Sequence, residues 1–240
     1  MRQIDQNLPT LSDAVVARLR DLIVSREIEP GARLTETSVA RLMSVSRTPA
    51  ATALRTLTKL GLVKYEQNRG YWVREIRVED VLAGYEIRAT LEGLACRLAA
   101  EYGVSPEVRD ILVECVETGR ALTDAEQLNP ADHAPYQDMN ATFHAAILEA
   151  SGNPKLPDFV ASCHEMPFTS NRIVYWGSRD VVRRSQFDHE RIVEAILARQ
   201  GTRAEMLMRE HVLEAGAIVG QKWPEIIQAS RQPALAASGA

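Results

Sequence analysis

The sequence predicts a mostly α-helical protein in two parts: three helices with a β-hairpin, followed by a bundle of six longer helices. Three observations support this prediction. Apolar residues recur with the 3.6-residue period of amphipathic helices, runs rich in Gly, Pro and Asn interrupt that period, and two β-prone runs lie close together between residues 62 and 73. The 240 residues, 45% hydrophobic and 25% charged, have the composition of an ordinary globular protein.

The elements of the first part follow in order along the N-terminal third of the chain. The turn Glu29-Pro30-Gly31 ends the first helix, Thr35 can cap the second, and Ser46 can cap a third that stops at Gly61. Two β-prone runs then flank a segment with the residues of a hairpin turn. The predicted helices cover about 12–26, 36–43 and 46–60, and the strands cover 62–65 and 71–73. Three helices followed by a hairpin indicate a winged helix-turn-helix.

The remainder of the chain is helical throughout, with no convincing strand after residue 78. Breaks such as Asn129-Pro130 and Ser151-Gly152 divide it, and long helices with short connections form an antiparallel bundle. The six predicted helices cover 78–102, 105–126, 132–150, 154–176, 179–200 and 202–220. We therefore expect a winged helix-turn-helix domain over 1–75, an all-helical domain, a six-helix antiparallel bundle, over 76–230, and a flexible tail over 231–240.

Charge divides at the same boundary. Residues 1–75 hold 12 Lys and Arg against 8 Asp and Glu, a net charge of +4, whereas residues 76–240 hold 16 against 24, a net charge of −8. A basic module joined to an acidic remainder is typical of a chain that brings one part to a nucleic acid. A solvated surface alone gives a charge of this size equally often.

Several classes of protein are excluded by composition. The chain has three cysteines, an odd number, and they show no C-x-x-C spacing. We therefore interpret them as small buried residues rather than as disulfides or zinc ligands. No apolar run approaches the ~20 residues needed to cross a bilayer. The first ten residues carry no apolar signal segment. We expect a cytoplasmic protein with no membrane partner.

The third helix has the polar face that a recognition helix needs. In a helix-turn-helix this helix enters the DNA major groove with its first residues leading, where arginine can bind guanine and threonine can contact a base edge. The hairpin tip can approach a phosphate or the minor groove. The residues expected to contact double-stranded DNA are Arg33, Thr37, Arg47, Thr48, Arg55, Lys59, Arg69 and Gly70.

These residues belong to a longer pattern that closely resembles the winged-helix domain of the GntR superfamily of bacterial transcription regulators. The resemblance covers residues 12–73. It rests on Pro30-Gly31-x-x-Leu34-x-Glu36, Val45-Ser46-Arg47-Thr48-Pro49, Gly61-Leu62-Val63 and Arg69-Gly70-x-x-Val73. One departure is Ala51-Thr52, where the family commonly has Arg-Glu and the arginine touches DNA. That contact is either lost here or taken over by Arg55.

Three of the five histidines lie on the inward stripes of their predicted helices. His144 stands one turn after Asn140, while His189 and His211 accompany the apolar residues of two later helices. Imidazole nitrogens with an oxygen ligand suit zinc, nickel or manganese. Taken singly, each histidine is more often a hydrogen-bonded core residue than a ligand.

The second part resembles the all-helical effector domain, called FCD, of the FadR branch of the same superfamily. The resemblance covers residues 78–215. The matching runs are Glu86-Ile87-Arg88-x-x-Leu91-Glu92, Phe143-His144, Ser151-Gly152-Asn153-Pro154, His189-x-x-Ile192 and Met208-x-x-His211. In metal-binding members the corresponding ligands imply a divalent metal at Asn140, His144, His189 and His211. The commoner residue at position 140 is Asp, so the neutral amide weakens metal retention.

The resemblance also implies an effector and a regulatory role. Arg88 stands where that branch often has an arginine facing the pocket, and a guanidinium matches a carboxylate in shape and charge. The alternative is a surface ion pair between Arg88 and Glu92. We expect a homodimeric repressor that leaves a palindromic operator when a small carboxylic or sugar acid binds the helical domain.

Two other functions remain open from the sequence. A metal with three histidines also serves hydrolases, in which bound water becomes the nucleophile. That reaction needs a general base, and Glu190 follows His189 directly and so points about 100° away on a helix of 3.6 residues per turn. In the other alternative the metal is a structural clip and a co-regulator protein binds elsewhere.

Overall fold

The computed structural model describes residues 10–230, which form two compact units. Residues 78–223 make up one unit, and residues 10–77 together with residues 224–230 make up the other. The expected boundary near residue 75 lies close to the observed one. The expected extent of the helical domain to residue 230 differs, because residues 224–230 group with the first unit. The proposed flexible tail, 231–240, lies outside the described residues.

The helices of the first unit begin at polar residues that satisfy their exposed N–H groups. Helix α1 is Leu11–Val24, α2 is Glu36–Leu42 and α3 is Arg47–Lys59. Thr10 and Thr35 each form a capping box with the residue three positions on. Ser46 is the N-cap residue of α3, as predicted, but its side chain makes no capping hydrogen bond.

A small antiparallel sheet completes this unit. Strands β1 (Arg33–Leu34), β2 (Val63–Glu66) and β3 (Gly70–Val73) lie in the order β1-β3-β2. The register pairs Tyr65 with Tyr71 and Leu34 with Tyr71. The hairpin was predicted, whereas the two-residue β1 is too short to leave a periodic signal. The buried cluster beneath consists entirely of apolar side chains.

The second unit contains six long helices and a 3-10 turn at Pro130–Asp132. The helices are α4 (Val78–Tyr102), α5 (Pro106–Thr123), α6 (His133–Ala150), α7 (Leu156–His164), α8 (Arg179–Leu197) and α9 (Gly201–Gln221). A further helix, α10 (Trp223–Ser230), follows where no element was predicted, because eight residues show little periodicity. The mostly helical fold class is confirmed. None of the helices in residues 10–230 is long and apolar enough to span a membrane.

The fourth helix of the bundle is much shorter than predicted. The sequence predicts a helix over 154–176, but α7 ends at His164 and residues 165–178 are irregular. Pro167 explains the difference, since the residue before a proline is pushed out of the helical region. Phe168, directly after it, has φ 62°. This irregular segment supplies several of the groups around the site described below.

Close packing of α4 against α9 brings the site residues together. An added Cβ at Gly93 would lie 2.6 Å from Cγ of Arg209, and one at Gly216 would lie 2.8 Å from Cβ of Tyr85. Glycine at these two places therefore allows the helices to approach. The three cysteines are buried, unpaired thiols, as predicted.

Candidate functional sites

The residues expected to contact DNA are exposed on the first unit. Arg47 and Thr48 form the first turn of α3, with Arg55 and Lys59 further along its exposed side. Arg69 lies in the turn between β2 and β3. Arg33 and Thr37 are also exposed, in β1 and α2, and Gly70 is half-buried. Arg47 makes a surface ion pair, with its Nη2 3.2 Å from Oε2 of Glu36.

Contacts within the sheet give two of these residues a structural role. Nε of Arg33 donates a hydrogen bond of 2.7 Å to the backbone oxygen of Arg69, which ties β1 to the hairpin turn. Gly70 has φ 95°, and an added Cβ would lie 3.1 Å from the backbone oxygen of Leu34. The sheet itself therefore requires glycine at position 70.

The unusual pair Ala51-Thr52 lies on α3. Ala51 is buried, whereas Arg55, one turn later, is exposed and bonded through Nη2 to Oγ1 of Thr52 at 3.3 Å. Arg55 is therefore the basic side chain that α3 presents in this region.

The second unit brings three histidines from three helices into one buried cluster. One ligand atom each from His144 (α6), His189 (α8) and His211 (α9) can be chosen so that all lie within 4.8 Å of one another. Nε2 of His189 is 3.3 Å from Nε2 of His211. All three side chains are at most 6% exposed. The sequence predicted this grouping, and we name these residues the histidine cluster.

Carboxylates lie close to the Nδ1 atoms of two members of the histidine cluster. Nδ1 of His144 lies 2.5 Å from Oε2 of Glu92, so His144 donates from Nδ1 and leaves Nε2 for a ligand. Nδ1 of His211 is 3.9 Å from Oδ2 of Asp188, within ion-pair range but beyond a hydrogen bond. Nδ1 of His189 is buried without a hydrogen-bond partner among the described residues.

Burial favours the neutral form of two of these imidazoles, those of His144 and His189. It lowers the pKa of His144, even though the Glu92 carboxylate acts to raise it. Burial also lowers the pKa of His189 well below its usual value, and the neighbouring histidines add to this effect. Burial alone would raise the pKa of Glu92, but Arg88 and His144 outweigh it and hold the pKa below its usual range. The cluster therefore offers neutral nitrogen donors next to a charged carboxylate.

These residues fit a divalent metal. Two imidazole Nε2 atoms face each other at 3.3 Å, and a cation between them would use both lone pairs. Asn140 donates from Nδ2 to the backbone oxygen of Asn171 at 2.6 Å. This bond fixes the amide so that Oδ1 is the atom left for a ligand. Three neutral imidazoles and one amide oxygen match zinc, nickel or manganese.

Arg88 is buried rather than on the surface. Its Nε lies 2.8 Å from Oε1 of Glu92, so the ion pair expected as the alternative exists, but both side chains are at most 3% exposed. Nη1 donates to the backbone oxygen of Thr169 at 2.6 Å, and Nη2 donates to Oδ1 of Asn171. Glu92 thus joins Arg88 to His144.

A cavity of about 70 Å³ lies beside these groups. Arg88, Asn140, His144 and His211 line it, whereas His189 does not. Sequence reasoning missed Glu92 as the partner of His144, and it missed Asp188, although the adjacency of Asp188 to His189 was a usable signal. The contribution of residues 169–171 could not be found while that segment was predicted to be helical.

The remaining histidines take no part in the cluster. His133 stacks on Trp176 with ring centroids 5.3 Å apart, and burial lowers the pKa of His164 to about 4. Glu190, considered as a general base, instead makes an ion pair with Arg120, whose Nη2 lies 3.0 Å from Oε2 of Glu190.

Comparison with known families accounts for both units. Residues 11–73 match the bacterial regulatory proteins of the gntR family, and residues 83–214, more than half of the chain, match the FCD domain. The protein belongs to the GntR family. It is a transcriptional regulator with a GntR DNA-binding domain and an FCD effector-binding domain. The resemblance inferred from the motifs is confirmed.

Individual relatives of this GntR regulator are distant. The Nta operon transcriptional regulator of Aminobacter aminovorans is 29% identical over 80% of this chain and 86% of its own. The probable D-xylose utilization operon transcriptional repressor of Paenarthrobacter nicotinovorans is 27% identical over 82% and 85%. Among solved structures, E. coli McbR/YncC has a TM-score of 0.62 at 20% identity, covering 90% of this chain and 100% of that one. This last similarity concerns the fold.

Proposed function

We propose that this regulator is a repressor that leaves its operator when a small organic acid binds at a metal-containing pocket of the FCD domain. The observation that carries the proposal is the histidine cluster, whose neutral imidazoles adjoin a cavity also lined by Arg88. The relative from Paenarthrobacter nicotinovorans is a probable operon transcriptional repressor, which supports the proposed direction of regulation.

Asn140, His144, His189 and His211 would hold the metal. Because these four ligands are neutral, a bound divalent ion would keep its charge available to a carboxylate oxygen. Glu92 orients His144, and its charge is shared with Arg88. Metal binding and the position of Arg88 are thereby connected through one carboxylate.

Arg88 would give the acid a second contact. A guanidinium has five N–H groups, and three are used by Glu92, Thr169 and Asn171. The other two can donate to a ligand in the cavity. Arg88→Lys keeps the buried positive charge beside Glu92 but removes the planar set of guanidinium N–H donors. We therefore expect the variant to bind the operator with wild-type affinity and to need a higher concentration of the acid for release.

The exposed basic residues of the first unit would hold the operator. Arg47 is assigned to base readout, and Lys59 and Arg69 to phosphates. A homodimer would place two α3 helices on one two-fold axis, which fits a palindromic operator. Light scattering of the purified chain should give twice the 26.6 kDa protomer mass.

Metal content tests whether the proposed ligands bind a metal. Full-length protein purified without chelator or affinity tag should contain close to one metal per chain by elemental analysis. His189→Ala should lose the metal, while His133→Ala, outside the cluster, should retain it. A wild-type protein that is metal-free and takes up no zinc, nickel or manganese would overturn the metal site.

Release from the operator tests whether a small carboxylate is the effector. Fluorescence anisotropy with DNA from upstream of the protein's own gene should show tight binding that small carboxylates reverse. If none of a broad panel of carboxylates reverses binding by the metal-loaded protein, the proposed mode of regulation is wrong.

A further inference from the structure

The cavity in the FCD domain runs along α8 and α9 away from the histidine cluster. Contacts between Arg184 and Glu214 and between His189 and His211 show that the two helices are antiparallel. Val219 lies eight residues beyond His211, about 12 Å along the helix axis. The cavity thus extends from a polar end at the cluster to a second end near Val219.

The walls beyond the cluster are predominantly aliphatic. Eight aliphatic side chains from α8, α9 and the segment 165–178 line the cavity, and Val182, Val212 and Val219 among them are at most 3% exposed. A polyhydroxylated ligand would lose its hydrogen bonds to water at this wall, and each hydroxyl group left unpaired there would weaken binding. An apolar body would instead gain from burial.

The charged side chains lining the cavity are already neutralised in pairs. Arg88 is paired with Glu92, with Nε 2.8 Å from Oε1. Nε of Arg184 is 3.0 Å from Oε1 of Glu214, and Nη1 of Arg191 is 3.2 Å from Oδ1 of Asp188. The lining itself holds two basic and two acidic residues. The bound metal would be the uncompensated charge at one end of the cavity, where it favours a carboxylate, whereas the far end offers a second carboxylate no uncompensated cation.

One buried hydroxyl group in the cavity wall also lacks a hydrogen-bond partner of normal geometry among the described residues. The Tyr85 hydroxyl lines the cavity beside Arg88 and makes no hydrogen bond of normal geometry with residues 10–230. A ligand oxygen would satisfy it. The volume of about 70 Å³ accommodates about five or six water-sized groups at 10–15 Å³ each.

We infer that the effector is a monocarboxylate of about six carbons in total with an unsubstituted hydrocarbon body, rather than a sugar acid or a polycarboxylate. The carboxylate would sit at the polar end and the hydrocarbon along the valine wall. This inference rests on the proposed function, and it narrows the organic acids considered there to one class.

Three six-carbon acids separate the possibilities. Hexanoate, gluconate and adipate match in chain length but differ in hydroxyl groups and in charge. Isothermal titration of the zinc-loaded, full-length protein should give hexanoate at least about tenfold tighter binding than either of the others. Tighter binding of gluconate or adipate would overturn the inference and leave the proposed function standing. Binding of none of these acids, or of a wider carboxylate panel, would overturn both.

A pair of isosteric variants localises the hydrocarbon. Val182→Thr replaces a cavity methyl by a hydroxyl at nearly constant volume, so hexanoate affinity should fall about tenfold while gluconate affinity does not fall. Val193→Thr makes the same change on α8 outside the cavity and should leave both affinities unchanged. Equal losses for both acids in Val182→Thr would contradict the assignment of this wall, and thermal melts of the two variants report any loss of folding.

Discussion

The two units of this regulator use polar side chains in opposite ways. The residues assigned to DNA on the first unit are largely exposed, above a core that is entirely apolar. Every buried polar or charged side chain of the described residues lies between 88 and 211, inside the second unit. Apart from Arg33 and Gly70, the residues assigned to DNA in the first unit lie outside its core, whereas the candidate site of the second unit consists of buried groups.

This difference has an energetic consequence. Exposed ion pairs contribute ~0–1 kcal/mol because water and salt screen them. A buried charge that loses its partner costs several times more. Substitutions of the exposed side chains of α3 should therefore affect binding alone, whereas substitutions at the buried site of the second unit should affect folding as well.

The largest expected effect is at Glu92. Glu92→Gln leaves Arg88 as an uncompensated buried charge and should lower the free energy of unfolding by about 3–5 kcal/mol in urea denaturation. The matched change Glu36→Gln removes the exposed partner of Arg47 and should cost less than about 1 kcal/mol. Equal costs for the two variants would break the comparison between the units.

The Arg47→Ala variant tests whether an exposed residue of the first unit affects DNA binding without affecting stability. Arg47→Ala should weaken operator binding by about 1–3 kcal/mol and reduce discrimination against random DNA, because base readout is lost. Its urea midpoint should match that of the wild type. A wild-type ratio of operator to random binding in anisotropy titrations would show that Arg47 does not read bases.

Lys59 should have a smaller and less selective effect. Lys59→Ala removes one phosphate contact, so binding to all sequences should weaken alike and the slope of log affinity against log salt should fall by about one. The measurement is a set of titrations from 50 to 200 mM salt. A change in sequence preference with an unchanged slope would argue against a phosphate contact.

The contribution of the histidines to the pH dependence of stability should be confined to the second unit. All five histidines lie at residue 133 or later. Burial lowers the pKa of His164 to about 4, whereas an unfolded histidine titrates near ~6.5. The neutral folded form is therefore favoured above pH 6.5, and that stability is lost as the pH falls toward 4.

Hydrogen exchange of the metal-free protein can locate this loss. After correction for intrinsic rates, amide protection should fall between pH 6.5 and 4.5 in residues 78–223 more than in residues 10–77. The His164→Gln variant should lose less protection than the wild type over this range. A uniform loss across both units would contradict a histidine origin.

Local patterns in the sequence determined much of this protein. Helical periodicity and caps such as Thr35 predicted most of the helices of both units to within a few residues. The position of three histidines on inward stripes predicted that they meet. These features can be predicted from the sequence because they depend on residues three or four positions away along the chain.

Tertiary structure alone decided how the site is connected. Glu92 meets His144 across 52 residues, and Arg88 reaches Thr169 and Asn171 across more than 80. The irregular segment after Pro167 supplies those last two partners, although its apolar residues had predicted a helix. Periodicity reports which face of a helix is buried, but the partner of a buried charge is set by which helices pack together. The Arg88–Glu92 pair therefore had the right spacing in the sequence, and only packing against α6 and residues 169–171 made it part of the candidate site.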